Sequence, residues 1–364
     1  MTQGEDIAYD LVLVLLSISL FILGIVLVIM CIKKPKKSDQ KQEILPVKSC
    51  ASSYQLTDID AATDGFNHRR IVGKGLLGTV YAAMSPRGEL FAVKRIHPLL
   101  VLSNAGFGFA SIMKTLSLAQ HPNIVPIIGF SQAPGERIIV MEFVGTVNLD
   151  LYLHENSDDA SLLDWNRRLR IAAGVARGIE YLHEGMAPNI IHGCIKASNI
   201  LLDMKFVAKL CDYGLSFLAP KETRGLVGYV DDEYCGACKE SDVYGFGVVL
   251  LELLTGRRSE QGLLVQWALP LIKSKRFNEL LDPRLVIPSD LKPLLRLAKV
   301  ASACVGNYRK DRPSISQVAS ILNNLEVEIE LVNEGKNFVG NILKCKEEGE
   351  GGGDWEYSLF PCGN

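Results

Sequence analysis

Residues Leu11 to Ile32 run for 22 positions without a single charge. At about 1.5 Å per residue, a helix of that length spans about 33 Å, enough to cross a hydrocarbon core of about 30 Å. The run has no polar face, so it does not suit the surface of a globular core. Lys33, Lys34, Lys36 and Lys37 follow it, while Glu5, Asp6 and Asp10 precede it with no Lys or Arg. By the positive-inside rule the lysine side is cytoplasmic and residues 1–10 lie outside. A cleaved signal peptide would have a basic start and a shorter apolar stretch of about 7–15 residues. The sequence therefore predicts one uncleaved transmembrane helix over 11–32, with membrane lipid as a partner along its length. The lysines also suit anionic headgroups. Ten outer residues are too few to fold, so a signal from outside would have to be sensed by a partner.

Everything after the run is expected in the cytoplasm. The formal net charge of −2 provides no field to attract nucleic acid, and no nucleic-acid partner is expected. Nine scattered cysteines in 364 residues are not a disulfide framework. Cys235 and Cys238 have metal-like spacing, but nothing completes a zinc site. Residues 33–62 read as a juxtamembrane linker, with a helix start at Thr57, the Thr capping and an acid three residues on. From 66 to 144 short β-rich runs alternate with turns: Thr79–Met84, Leu90–Arg95, Ile124–Phe130 and Arg137–Phe143. One helix is expected among them, over Ala105–Ala119. From 145 to 329 the texture is helical, with helices expected over Trp165–Glu184, Ser241–Thr255, Leu291–Val305 and Ser314–Val327. Residues 330–364, rich in Glu and Gly, read as a disordered tail.

Gly73, Gly75, Gly78 and Val80 fit the pattern GxGxxGxV, in which glycines let backbone N–H groups approach phosphate. Alone this is weak. Phe91-Ala92-Val93-Lys94 follows on a predicted strand, where Lys94 would meet the α and β phosphates of a nucleotide. Further on, Ile191-His192-Gly193-Cys194-Ile195-Lys196 leads through Asn199 to Leu210-Cys211-Asp212-Tyr213-Gly214. With these in place, the chain resembles the protein kinase superfamily, and most of all the plant receptor-like kinases of the receptor-like/Pelle group. Ala61-Ala62-Thr63-Asp64-Gly65-Phe66, Leu163-Asp164-Trp165, Ser241-Asp242-Val243-Tyr244-Gly245, Asp282-Pro283-Arg284-Leu285 and Asp311-Arg312-Pro313-Ser314 extend the likeness from about Leu56 to Leu325.

The resemblance implies an α+β fold: a two-lobed kinase domain over 63–329, with a small β-rich lobe at about 66–144 and a large helical lobe at about 145–329. It implies ATP and Mg2+ as cofactors. Asn199 and Asp212 would hold the metal, and Lys196 would contact the transferred phosphate. Met141 falls at the gatekeeper position, followed by the hinge Glu142, Phe143 and Val144. Val80, Ala92 and Leu201 would enclose the purine. Glu233 would pair with Arg312 inside the large lobe.

Three departures weigh against catalysis. The family's catalytic loop reads His-Arg-Asp, whereas here it reads His192-Gly193-Cys194. The missing Asp is the group that accepts the substrate hydroxyl proton. A thiol of pKa about 8.5 is mostly neutral near pH 7, and a positioned base contributes about 10²–10⁴ in rate. The glutamate that should pair with the strand lysine is also absent. Counting back nine residues from His121, as the family spacing requires, lands on Ile112, and no acid occurs between His97 and Gln120. Last, Asp231-Asp232-Glu233 stands where the family has Ala-Pro-Glu, after a short stretch from Asp212. Three readings remain open on this evidence. One is a membrane-tethered pseudokinase that binds ATP and acts as scaffold or allosteric partner to active receptor-like kinases or other signalling proteins. The second is a weak serine/threonine kinase. The third is a fold that no longer binds nucleotide.

Overall fold

The computed structural model describes residues 50–328 except 105–107, 146, 156–162, 220–226, 232–235 and 260–262. The expected transmembrane run, the outer segment, most of the linker and the tail lie outside the described residues. Among the described residues no helix is long and apolar enough to cross a membrane.

The small lobe is a six-stranded sheet in the order β1-β5-β6-β4-β3-β2. Its strands are β1 (Ser52–Ser53), β2 (Ile71–Lys74), β3 (Gly78–Met84), β4 (Leu90–Ile96), β5 (Ile127–Ala133) and β6 (Glu136–Glu142). All neighbours are antiparallel except β1 on β5. Side chains alternate across a strand, so β4 sends Ala92, Lys94 and Ile96 to one face and Phe91, Val93 and Arg95 to the other. The second face is covered by α1 (Leu56–Ala62), whose Ile59 is buried in a small cluster with Ala83, Val93, Ile138 and Val140. That cluster holds the sheet flat side down on α1 and leaves the Lys94 face toward the rest of the molecule. Residues 52–62, read as linker from sequence, thus pair and pack with the small lobe. Thr57 does not cap α1: the helix begins one residue earlier, after Gln55, with no side-chain cap.

The helix expected over 105–119 is confined to 109–116 among the described residues, and a separate helix that was not expected precedes it. Pro98 opens α2 (Pro98–Ser103), and α3 (Phe109–Leu116) starts only after Gly108. Proline suits the first turn of a helix, and the glycines at 106 and 108 disfavour continuation. The strand expected from Ile124 begins at Ile127, because Ile124 instead bridges Leu210 in parallel.

The large lobe contains α4 (Leu149–His154), α5 (Trp165–Glu180) and the hairpin β7 (Ile200–Leu202) with β8 (Ala208–Leu210). It continues with α6 (Lys239–Thr255), α7 (Leu263–Lys273), α8 (Phe277–Leu280), α9 (Lys292–Cys304) and a helix over 315–328. At the end of α5 a π-turn over Tyr181–Gly185 takes up the rest of the predicted helix. The apolar α6 is the central post, buried along nearly all its length. It stops at Gly256, whose φ of +65° and whose 2.1 Å approach of a built Cβ to Asp282 admit no side chain.

Candidate nucleotide cleft and catalytic loop

The sheet alternation that buries Val93 turns Lys94 into the space between the lobes, where it is 4% exposed. Gly73, Gly75 and Gly78 close the roof of this space. Gly75 donates its N–H to the Gly78 carbonyl at 2.9 Å, forming a tight turn between β2 and β3. Gly78 is sterically obligatory, since a Cβ there would lie 2.0 Å from the Arg95 carbonyl oxygen. A Cβ at Gly75 would meet nothing. The back and floor come from Met141 and Glu142 at the end of β6, from Val144 just beyond it and from Leu201 on β7. Val80, Ala92, Lys94, Cys194, Lys196, Asn199 and Asp212 line the same cleft, which holds about 250 Å³ of empty space. Every cleft residue expected from sequence is therefore brought to one place, and no side chain fills it.

The catalytic loop keeps its backbone. The Asp242 carboxylate on α6 accepts from the N–H groups of His192 and Gly193, each at 2.8 Å, and contacts His183 Nε2 at 2.8 Å. Gly214 donates its N–H to the His192 carbonyl at 3.1 Å, tying the loop to the Asp-Tyr-Gly turn. His192 is fully buried, and burial pushes its imidazole below the usual range, so the ring is neutral.

The side chains do not keep their chemistry. Asn199 Nδ2 donates to the Cys194 carbonyl at 2.9 Å and approaches Cys194 Sγ at 3.2 Å. Burial pushes the Cys194 thiol up despite nearby Lys196, so it is a neutral group at physiological pH. Gly193 has a φ of +78°, and a Cβ there would lie 2.8 Å from Ser216 Cβ. The 3-10 turn Ser216–Leu218 and Ala237 thus occupy the space where a side chain would leave this position.

Among the described residues no glutamate pairs with Lys94. Ile112, on α3, packs against the main apolar core. The ammonium of Lys94 instead pairs with the carboxylate of Asp212. Asp212 itself sits at a φ of +64°, in the left-handed region. Tyr213, next in sequence, is buried with its hydroxyl 3.4 Å from the Leu116 carbonyl at the end of α3.

The pairing expected between Arg312 and Glu233 falls partly on a residue that is not described. Glu233 lies outside the described residues, and the Arg312 guanidinium pairs with Asp231. Arg309 joins it, with Nη2 at 2.9 Å from the same carboxylate. Burial opposes ionisation of Asp231, but the two arginines outweigh it and hold the group below the usual carboxylate range. Sequence reading also passed over Cys211 and Ser216, which line the cleft beside Asp212. A signal for Cys211 was its place immediately before Asp212, one residue beyond β8.

A β-rich lobe over a helical lobe, with a glycine turn, a strand lysine, a catalytic-loop asparagine and an aspartate converging on one cleft, defines a fold family. Residues 66–322 match the protein tyrosine and serine/threonine kinase family. This chain belongs to that family. Its curated relatives among the kinases are receptor-like proteins of Arabidopsis thaliana. It is 37% identical over 289 residues to the leucine-rich repeat receptor protein kinase EMS1, covering 74% of this chain and 24% of that one. It is 37% identical over 285 residues to phytosulfokine receptor 1, covering 74% and 28%. The chain thus spans about a quarter of the length of these relatives. Among solved kinase-fold structures, the pseudokinase domain of BIR2, an immune regulator of the RLK/Pelle family, superposes with a TM-score of 0.66 at 33% identity. That match covers 77% of this chain and 90% of the solved pseudokinase-domain chain.

Kinases of this family use ATP with Mg2+. The donor set here fits the nucleotide better than the metal. Asn199 has committed its amide nitrogen to Cys194, which leaves one neutral oxygen. The Asp212 carboxylate already faces an ammonium. Among the described residues no group of three His, Cys, Asp or Glu side chains is placed to hold a metal ion.

Proposed function

We propose that this kinase-family protein is a membrane-anchored pseudokinase that signals by binding. It takes ATP in the cleft between its lobes and acts as scaffold or allosteric partner for active receptor-like kinases at the cell surface. The single observation that carries this reading is the half-buried Cys194 thiol at the proton-acceptor position, where desolvation disfavours the thiolate. Phosphoryl transfer needs little covalent work from the protein, but it does need an oriented hydroxyl and a positioned strand lysine. Here the first loses its base, and the second is turned to Asp212. The retained cleft residues support nucleotide binding, because the purine walls and the glycine turn are complete. The apolar run over 11–32 and its flanking lysines support a single-pass anchor in the plasma membrane, with residues 33–364 inside.

A weak serine/threonine kinase is the second reading. It is favoured by the convergence of Lys94, Lys196, Asn199 and Asp212 on one cleft. A thiolate at Cys194 does not rescue it, since burial works against the thiolate. The deciding experiment is radiolabelled phosphotransfer by the purified chain, beside an active receptor-like kinase. The expected result is no transfer above a no-enzyme blank. Transfer that disappears on Lys94→Ala would establish the second reading.

A further inference from the structure

The charges at the phosphate end of the cleft have changed sign. The family pattern sets three carboxylates against two lysines: the helix glutamate, the catalytic aspartate and the metal aspartate. Its fixed charge is negative, and a dication must bridge it to a polyphosphate. Here two of the three carboxylates are the neutral side chains of Ile112 and Cys194. Only Asp212 remains against Lys94 and Lys196, so the fixed charge of this set is positive. The one remaining carboxylate is also the partner of Lys94. A dication seated there would have to displace or share with a buried ammonium, beside a second lysine. A hard ion that holds its waters tightly and binds through one or two carboxylates has little to gain from that exchange.

We infer that this cleft takes a nucleoside polyphosphate as the free anion, with no divalent cation. The proposal rests on the nucleotide-binding reading above and adds the charge state of the ligand. Bare ATP carries about four negative charges near neutral pH and its magnesium complex about two, so a positive site attracts the bare anion more strongly. Lys94 is the group that changes partner: on binding it turns from Asp212 toward the phosphates, a short move for a flexible stem. Asp212 remains beside it, so the lysine is never left alone. In this cleft magnesium competes with the protein for the nucleotide instead of joining the two.

The test is calorimetric titration of the full-length chain in detergent with ATP. One arm contains EDTA, the other excess Mg2+, and sodium chloride equalises the ionic strength. The expected result is binding in EDTA that is as tight as in Mg2+ or tighter. Binding that appears only with Mg2+, or tightens tenfold with it, overturns the proposal and leaves the nucleotide reading intact. No binding in either arm removes the nucleotide reading and the proposal with it. The variant Ile112→Glu with Cys194→Asp restores both carboxylates. It should convert the cleft to one in which Mg2+ tightens ATP by about tenfold or more, the scale set by two charges within one site. A correctly folded double variant with unchanged metal dependence would also overturn the proposal. Should Ile112→Glu prevent folding, Cys194→Asp alone gives the same test with a smaller shift in the same direction.

Discussion

Two of the cation–carboxylate pairs in this protein are built differently. Arg168 on α5 reaches Asp282 at 2.7 Å, with side chains 2% and 1% exposed. Its remaining donors are used as well: Nε meets the Leu163 carbonyl at 2.8 Å and Nη1 the Leu253 carbonyl at 2.7 Å. Asp282 in turn accepts from Arg284 through Nε at 2.9 Å and Nη2 at 2.7 Å. Each guanidinium nitrogen of Arg168 and each carboxylate oxygen of Asp282 has a partner, and Arg168 fastens α5 to the end of α6. Lys94 and Asp212 share one bond at the wall of a cleft, and Asp212 is 15% exposed. The first pair is a rivet. The second is a single contact at a cleft wall. The difference shows where the sequence has been held to geometry and where to chemistry. The motif Asp282-Pro283-Arg284 keeps all its structural contacts, while the phosphate end has lost two of its charges.

Asp282→Ala should break the comparison most sharply. It leaves a guanidinium buried with no counter-charge, and removing one partner of a buried pair costs about 3–5 kcal/mol. That is a large share of a domain's stability, so chemical denaturation should show a large loss of midpoint or no folded protein at all. A loss below about 1 kcal/mol would mean that Arg168 is held by its carbonyl contacts alone.

Lys94→Met should cost less, because Asp212 borders the cleft and water can replace the ammonium. We expect about 1–2 kcal/mol of destabilisation, with ATP binding lost. If Lys94→Met proved as damaging as Asp282→Ala, the Lys94–Asp212 pair would be a rivet too, and its proposed change of partner would fail.

Asp231→Ala comes third. Asp231 joins Arg309 and Arg312 with its side chain 8% exposed, beside an Arg309 that is 20% exposed and so screened in part by water. About 1–2 kcal/mol should be lost, measurable as a lower thermal midpoint, since hydrogen bonds to charged groups contribute about 1.5–3 kcal/mol each before screening. The same variant of Asp232, its neighbour in sequence, provides the control. Equal losses would mean that the guanidinium accepts either acid.

Much of the lobes was legible because hydrophobic period and turn chemistry are local. Period two in Phe91-Ala92-Val93-Lys94 placed the lysine on the cleft face, and the unbroken run in α6 marked a buried post. The helix ends moved where a proline or glycine outweighed the apolar pattern, as at Pro98 and Gly108. What stayed hidden was choice of partner. The Lys94–Asp212 pair joins residues 118 apart in sequence. The absence of a helix glutamate could be read, but not which acid would take its place. Arg312 was paired with Glu233 by likeness to the family. Glu233 lies outside the described residues, and the pairing with Asp231 carried no signal in the sequence. Arg168 carried no signal, since a charged residue in an amphipathic helix normally belongs to the solvent face.

The smallest expected effect is on acid stability, and it separates the two pairs again. Burial works against the Asp282 charge, but Arg284 and Arg168 outweigh it and hold the carboxyl below its usual range. A carboxyl whose folded pKa is depressed binds fewer protons in the folded state than in the unfolded one. Its contribution is therefore complete above the ordinary carboxylate pKa of about 3.9 and declines as pH falls through the lower folded value. Asp282→Asn removes that dependence. Its deficit against the parent should be constant from neutral pH down to about 5 and shrink below about 4 in denaturation series. Because Arg168 stays charged throughout, the deficit should narrow without vanishing. A gap of constant width to the lowest pH at which the parent is folded would show that the rivet works through its hydrogen bonds and not through its charge.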